Sequence, residues 1–327
     1  MSNNLSVSRV GRGTGRIHSS GFIVLDLLVH NSSLTAHVGG TAANVAINLA
    51  VLGWKSGVSA LLGNDRAGSI ILRQFQEYGV DTTGVILRDD VKTPVVIHEV
   101  LGNRHRFKFS CPVCGSKYPK FRPLPVSALP DIHDADVYFF DRASAYAMHA
   151  AMQVREQGSV VVFEPGTPGR AEATSQMTDL AHLFRVSGAL ADPAVTAATQ
   201  VIGMAENGVK FRTNDSDWVR SPSKLSAPPV DAGGAGDWLT AGIIHRLGAA
   251  GILHADREEL SDAVEFGQRL AGISCRYVGT RGMVLVDGGD PDLALLGVGG
   301  ASYDLGASEA LNLSCDFWHF DRPAEDG

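Results

Sequence analysis

The chain has 327 residues, enough for one large α/β core or two smaller ones, and its 44% apolar content is ordinary for a globular protein. A net charge of -7 carries no basic footprint for nucleic acid, and no window approaches the roughly 18 uninterrupted apolar residues of a membrane span. Four cysteines in a chain of this length make no disulfide framework, which points to a reducing compartment and by default to the cytoplasm.

Residues 1–20 are rich in Ser, Gly and Arg, lack acids and have no apolar h-region, so they do not resemble a secretory signal and read as a mobile leader. Residues 21–29 form a near-continuous apolar run, the pattern of a strand buried on both faces, broken by Asp26. An unpaired carboxylate there is costly, so Asp26 is either a salt-bridged structural residue or a ligand-binding group. His37-Val38-Gly39-Gly40-Thr41-Ala42-Ala43-Asn44 then opens a helix-spaced stretch that Gly53 stops. A glycine pair at the start of a helix implies close backbone approach to a ligand.

A strand over 56–62, a loop over 63–68 and an amphipathic helix over 69–78 continue the alternation. Such alternation predicts a doubly wound, mostly parallel α/β sheet with helices on both faces. Residues 93–101 and 104–110 flank Gly102-Asn103 as a hairpin and break the rhythm. They predict a small β-sheet lid formed by about 27–38 and 92–122, whose edge offers a surface for a homodimer. Cys111-Pro112-Val113-Cys114-Gly115 follows. Cys111 and Cys114 read as half of a structural Zn2+ site, to be completed by His98, His105, Cys315 or His319, or as a reduced or redox-active thiol pair in a tight turn.

From residue 135 the rhythm resumes, with strands over 136–140, 159–163, 180–186 and 199–204 and a helix over 144–157. Residues 221–229 form a surface connection, 263–277 a helix, 282–286 a strand and 316–327 a polar tail. No repeat or long linker divides 21–315. Arg104, His105, Arg106, Asp141, Arg142 and Glu164 lie near strand ends or in the lid, as solvated surface charges or as pocket groups. Arg142, just after the 136–140 strand, suits an anionic substrate.

The stretch Asp231-Ala232-Gly233-Gly234-Ala235-Gly236-Asp237 precedes the apolar run 238–244. Its small residues allow a tight turn, and the helix after it directs free amide N–H groups at a ligand, the makings of an anion site. Asp237 at its lip either caps the helix or takes a proton from a hydroxyl nucleophile.

These motifs together resemble the ribokinase/PfkB family of carbohydrate and nucleoside kinases, over most of 21–287. Gly39-Gly40-Thr41-Ala42-Ala43-Asn44-Val45-Ala46, with Gly53 and Gly63, is similar to the family's N-terminal glycine-pair signature, and 231–237 to its Asp-Thr-Thr-Gly-Ala-Gly-Asp signature. The resemblance implies a ribokinase-like fold with a β lid over the active site, and an ATP-dependent kinase acting on a hydroxymethyl group of a sugar or nucleoside. It makes Asp237 the general base and the Gly234, Ala235 and Gly236 amides the anion hole. It assigns Asp26, Gly39, Gly40 and Asn44 to the substrate, and Ala205, Asn207, Gly208 and Gln268 to ATP. Mg2+ is implied, and a monovalent cation near Asp231 and Gly233. Three features depart from the family: Ala232-Gly233 replaces Thr-Thr, Gly203-Met204-Ala205 stands where Thr-x-Gly is common, and no Asn-x-x-Glu appears across 186–193. Mg2+ would then be held by ATP phosphates and water. A catalytically weakened ligand sensor is the alternative, whereas a Rossmann-type dehydrogenase fits poorly because the glycine clusters do not match Gly-x-Gly-x-x-Gly after a first strand with an acid about twenty residues on.

Overall fold

The structure, a computed structural model, describes residues 15–31, 33–101, 104–129, 132, 134–166, 171–188, 197–213, 216–286, 290–296 and 298. In chain order the elements are β1 (Arg16–Ser20), β2 (Val24–His30), β3 (Ser33–Gly39), α1 (Thr41–Val51), β4 (Lys55–Gly63), α2 (Arg66–Glu77), β5 (Asp81–Arg88), β6 (Val95–Leu101), β7 (Arg104–Lys108) and β8 (Val137–Phe140). There follow α3 (Ala145–Glu156), β9 (Val160–Phe163), α4 (Ala171–Leu180), β10 (Leu183–Ser187), β11 (Thr199–Gly203), β12 (Val209–Thr213), β13 (Val219–Ser221), α5 (Ala235–His254), α6 (Arg257–Ser274), α7 (Gly282–Leu285) and α8 (Pro291–Leu295).

Among the described residues the main sheet has nine strands in the order β13-β12-β11-β10-β9-β8-β1-β4-β5, parallel from β11 to β5 and antiparallel at the β12–β13 edge. Val-Tyr-Phe-Phe of β8 and Val-Val-Val-Phe of β9 are buried at every position, as strands covered on both faces must be. The second sheet, β3-β2-β6-β7, is the predicted lid. Against the main sheet lie α5 and α6, which approach so closely that a Cβ on Gly242 would stand 2.5 Å from Gly267 Cα. Trp238, fully buried on α5, donates its indole N–H to the Thr280 carbonyl at 2.6 Å.

Three expectations are corrected. Part of the predicted leader, Arg16–Ser20, is β1, which pairs with β4 and β8 in the interior of the main sheet. Its polar residues hide it. His18 bonds Ser59 Oγ at 2.6 Å and Ser20 bonds the Tyr138 hydroxyl at 2.5 Å, so cross-strand hydrogen bonds satisfy groups that the hydrophobic pattern could not place. The apolar run over 21–29 supplies β2 of the lid instead of a strand of the main sheet. Residues 282–286 are not a strand: Gly282–Leu285 form the short helix α7, packed by Met283 and Val284 rather than by any ladder partner. Residues 102–103 and 299–327, which include the hairpin turn, Cys315, His319 and the tail, lie outside the described residues, as do residues 1–14.

The β3–α1 junction passes through Gly40 at φ 92°, where a Cβ would collide with the Phe22 carbonyl. Both the backbone conformation and the absence of space demand glycine. Gly40→Ala is therefore expected to lose about 2 kcal/mol or more, read as a lowered denaturant midpoint at unchanged m-value.

Candidate active site

The first turn of α5 is the structural centre of the site. Gly234 occupies the N-cap position in the left-handed region at φ 77°, and no side chain caps the helix. The first-turn N–H groups have no intrahelical partner, so this end favours negative charge. Within the predicted anion hole, Ala235 N–H is directed at the Ala232 carbonyl at 3.3 Å. Asp231 braces the turn, its carboxylate accepting Gly233 N–H at 2.6 Å and Gly279 N–H at 2.7 Å.

Asp237, 8% exposed on that first turn, accepts a hydrogen bond from Asn44 Nδ2 at 2.6 Å. Burial, reinforced by the Glu164 charge, pushes its carboxyl up to about 7, against the opposing pull of Asn44 and Arg185. Glu164, at the end of β9, is buried, and burial likewise raises its pKa, opposed by Arg185. Arg185 Nη1 donates to Glu164 Oε1, and Thr240 Oγ1 on α5 donates to Oε2 at 2.6 Å. The Arg185 guanidinium lies against the turn, since a Cβ on Gly236 would stand 2.7 Å from its Nη2. A fixed cation therefore sits beside the uncapped helix start. Arg185 was not among the sequence candidates; its only mark was one cation inside the apolar strand Leu-Phe-Arg-Val-Ser.

The lid reaches the same turn through two histidines. His105, on β7, accepts Ala232 N–H through Nε2 at 3.2 Å, and its Nδ1 lies 2.7 Å from His98 Nε2 on β6. Because His105 Nε2 is an acceptor, its proton is assigned to Nδ1, which donates to His98 and leaves the His98 proton on Nδ1 facing Asp26 at 3.6 Å. Burial resists protonation of His98, but Asp26 outweighs it and its pKa is raised; burial lowers that of His105. Asp26 Oδ1 is buried without a hydrogen-bond partner, beside Gly39 and on a cavity shared with His37, His98 and Thr280.

Ligand atoms of His98, His105 and Asp231 lie within 4.8 Å of one another, the one metal-capable trio among the described residues. Neither Cys111 nor Cys114 belongs to it. Cys111 is buried and Cys114 exposed in a tight turn closed by Gly115 N–H to the Cys111 carbonyl at 2.9 Å. The described residues thus supply no completed Zn2+ site to the pair, and His98 and His105 are turned to Asp26 and Asp231 instead.

Arg142 ion-pairs with the buried Asp141 at 2.8 Å, stacks on Phe22 at 4.7 Å and lines a cavity with Ser20, Ser59 and Tyr146. Burial pushes the Asp141 carboxyl up to about 7, with Arg142 opposing. Ala205 and Asn207 are exposed in the turn between β11 and β12, and Gly208 follows them beside Ser221. Gln268 meets the same strand from α6, accepting from Ser221 Oγ at 2.6 Å and donating to the Pro222 carbonyl at 3.0 Å. Both ends of its amide hold the chain. Of the segment without Asn-x-x-Glu, Val186, Ser187 and Gly188 are described, and 189–193 are not.

A large, mostly parallel α/β sheet flanked by helices, with a second small sheet beside it, is the architecture of ribokinase-like kinases. Solved structures share it at low identity. Fructokinase from Xylella fastidiosa with bound ATP aligns at a TM-score of 0.68 and 20% identity, over 81% of this chain and 93% of that one. Aminoimidazole riboside kinase from Salmonella enterica, with aminoimidazole riboside and an ATP analogue, aligns at 0.65 and 20% identity, over 81% and 95%. The pfkB family carbohydrate kinase domain matches residues 18–184, and the chain belongs to that family. It is also similar to 2-dehydro-3-deoxygluconokinase from Bacillus subtilis, 24% identical over 289 residues, 76% of this chain and 83% of that one.

Since the folded chain holds the Asp237 proton up to about 7 while the unfolded chain releases it in the ordinary carboxylate range, stability attributable to this group is lost as pH rises through that window. Asp237→Asn removes the buried charge. The variant is expected to melt above wild type at about pH 8, with the difference shrinking toward about pH 4, in a pH series of thermal melts.

Proposed function

We propose that this chain is an ATP-dependent phosphotransferase acting on a hydroxymethyl group of a sugar or nucleoside, with Asp237 as general base. The observation that carries this reading is the buried Asp237 carboxylate, fixed by Asn44 at 2.6 Å on the first turn of an uncapped helix, where burial raises its pKa to about 7. A base whose pKa lies near the operating pH transfers protons most effectively. In the reaction, the substrate hydroxyl oxygen bonds to the γ-phosphorus, its proton passes to Asp237, and the bond to the ADP leaving oxygen breaks. The amides of Gly234 and Gly236 and the Arg185 guanidinium supply positive potential for the charge on the transferring group. Glu164 is bound by Arg185 and Thr240; Mg2+ would be held by ATP phosphates and water and would neutralise phosphate charge. A monovalent cation would use backbone oxygens near Asp231 and Gly233.

Substrate hydroxyls would be received by Asp26, which lines a cavity with His37 and Thr280, and by the backbone at Gly39 and Gly40, and an anionic group by Arg142. The Ala205–Gly208 turn and α6 would hold the base of ATP between them. The named actions of the relatives, on a sugar acid, on fructose and on aminoimidazole riboside, define the panel to test. Exposed Phe107 and Phe109 on the lid side support a homodimer through the lid. A ligand sensor is the second reading, favoured by the His105 contact that engages Ala232 N–H of the turn.

The test is ATP turnover against that panel. We expect one member to be phosphorylated and Asp237→Asn to lower kcat by about 100-fold or more. Tight binding of a panel member with no phosphorylation would establish the sensor instead.

A further inference from the structure

Arg281, Asn44 and Asp237, from distant parts of the chain, meet end to end. Arg281, in the connection between α6 and α7, is 5% exposed. Its Nη1 donates to Asn44 Oδ1 at 2.8 Å, its Nη2 donates to the Val38 carbonyl in lid strand β3, and its guanidinium carbon lies 5.7 Å from the Tyr78 ring centre. A guanidinium only donates, so it can hold only the oxygen end of the Asn44 amide. The NH2 end must then face away from Arg281, and there it donates to Asp237 Oδ2 at 2.6 Å. An amide turned the other way would place two donors against each other at Arg281 and two acceptors against each other at Asp237.

We infer that Arg281 is a positioning residue of the transfer reaction: by fixing the Asn44 amide it holds Asp237 Oδ2 and leaves Oδ1 to take the substrate proton. The inference rests on Asp237 being the base. It also ties the base to the lid, because the same guanidinium grips the end of β3. The charged groups facing Asp237 are Glu164 from the end of β9, Arg185 from β10 and Asp141 after β8, and Arg281 itself faces His37 on β3. Of the groups that favour the ionised base, Asn44 bonds it directly, so loss of the Arg281 contact weakens that bond and moves Asp237 titration upward.

The test compares wild type with Arg281→Met, Arg281→Lys, Asn44→Ala, the Arg281→Met/Asn44→Ala double variant and Asp237→Asn. Activity is measured with ATP and whichever of fructose, 2-dehydro-3-deoxygluconate or aminoimidazole riboside the wild type phosphorylates. In parallel, the Asp237 carboxyl of the ligand-free protein is titrated by carbon NMR, assigned by its loss in Asp237→Asn. Arg281→Met is expected to lower kcat about tenfold with KM for ATP little changed, and to raise the Asp237 titration midpoint by about half a pH unit or more. Arg281→Lys should restore part of both. The double variant should be no worse than the worse single one, because both substitutions break the same chain. Wild-type kcat and titration in Arg281→Met, with Asp237→Asn inactive, would overturn the role of Arg281 while leaving the base in place. Full activity of Asp237→Asn would overturn both. If Arg281→Met does not fold, Arg281→Lys combined with Asn44→Ala carries the same cycle, and additive losses there would refute the coupling.

Discussion

A carboxylate buried at the start of a helix is the constraint around which the rest of this protein is arranged. The helix start itself favours negative charge, yet burial and the neighbouring Glu164 carboxylate oppose ionisation of Asp237, and the balance leaves it near neutrality. Each surrounding group can be understood from that balance. Glu164 raises the pKa without becoming a second free charge, because Arg185 and Thr240 engage both its oxygens. Arg185 compensates Glu164 and at the same time lies against Gly236. Removing either partner of this buried pair would leave the other uncompensated, so the pair acts as one unit.

The lid is connected to this centre by directional hydrogen bonds. Ala232 N–H, His105, His98 and Asp26 form a sequence in which each tautomer is determined by its neighbour, from the backbone amide of the turn to the carboxylate of β2. Three strands of the lid are thereby connected to the turn. A metal at the His98–His105–Asp231 trio would have to break this order, since ligation through His105 Nδ1 moves its proton to the nitrogen that now accepts from Ala232.

Patterns with a short period are legible in the amino-acid sequence. The alternation of strand and helix signals, the lid strands and both glycine motifs all reflect local chemistry, in which side chain and backbone at one position decide the outcome. Asp237 and Asp26 are legible for a related reason: an acid beside an apolar run needs an explanation that the run cannot supply. β1 is not legible, because its polar residues are satisfied by Ser59 and Tyr138, which lie 41 and 118 positions away. α7 has the look of a strand because a short apolar run carries no period that would tell the two apart.

The sequence by itself determined the fold class, the lid, the anion-ready turn and the acid at its lip, since glycine, helix capping and hydrophobic period act over a few residues. Only the tertiary structure decided what surrounds that acid. Asn44, Glu164, Arg185 and Arg281 come from four separate parts of the chain and meet Asp237 or its partners across 193 residues for Asn44 and 237 between Asn44 and Arg281. Hydrogen-bond direction and desolvation depend on such distant neighbours, so the acid was visible in the sequence while its pKa, its orientation and the cation beside it were properties of the folded chain.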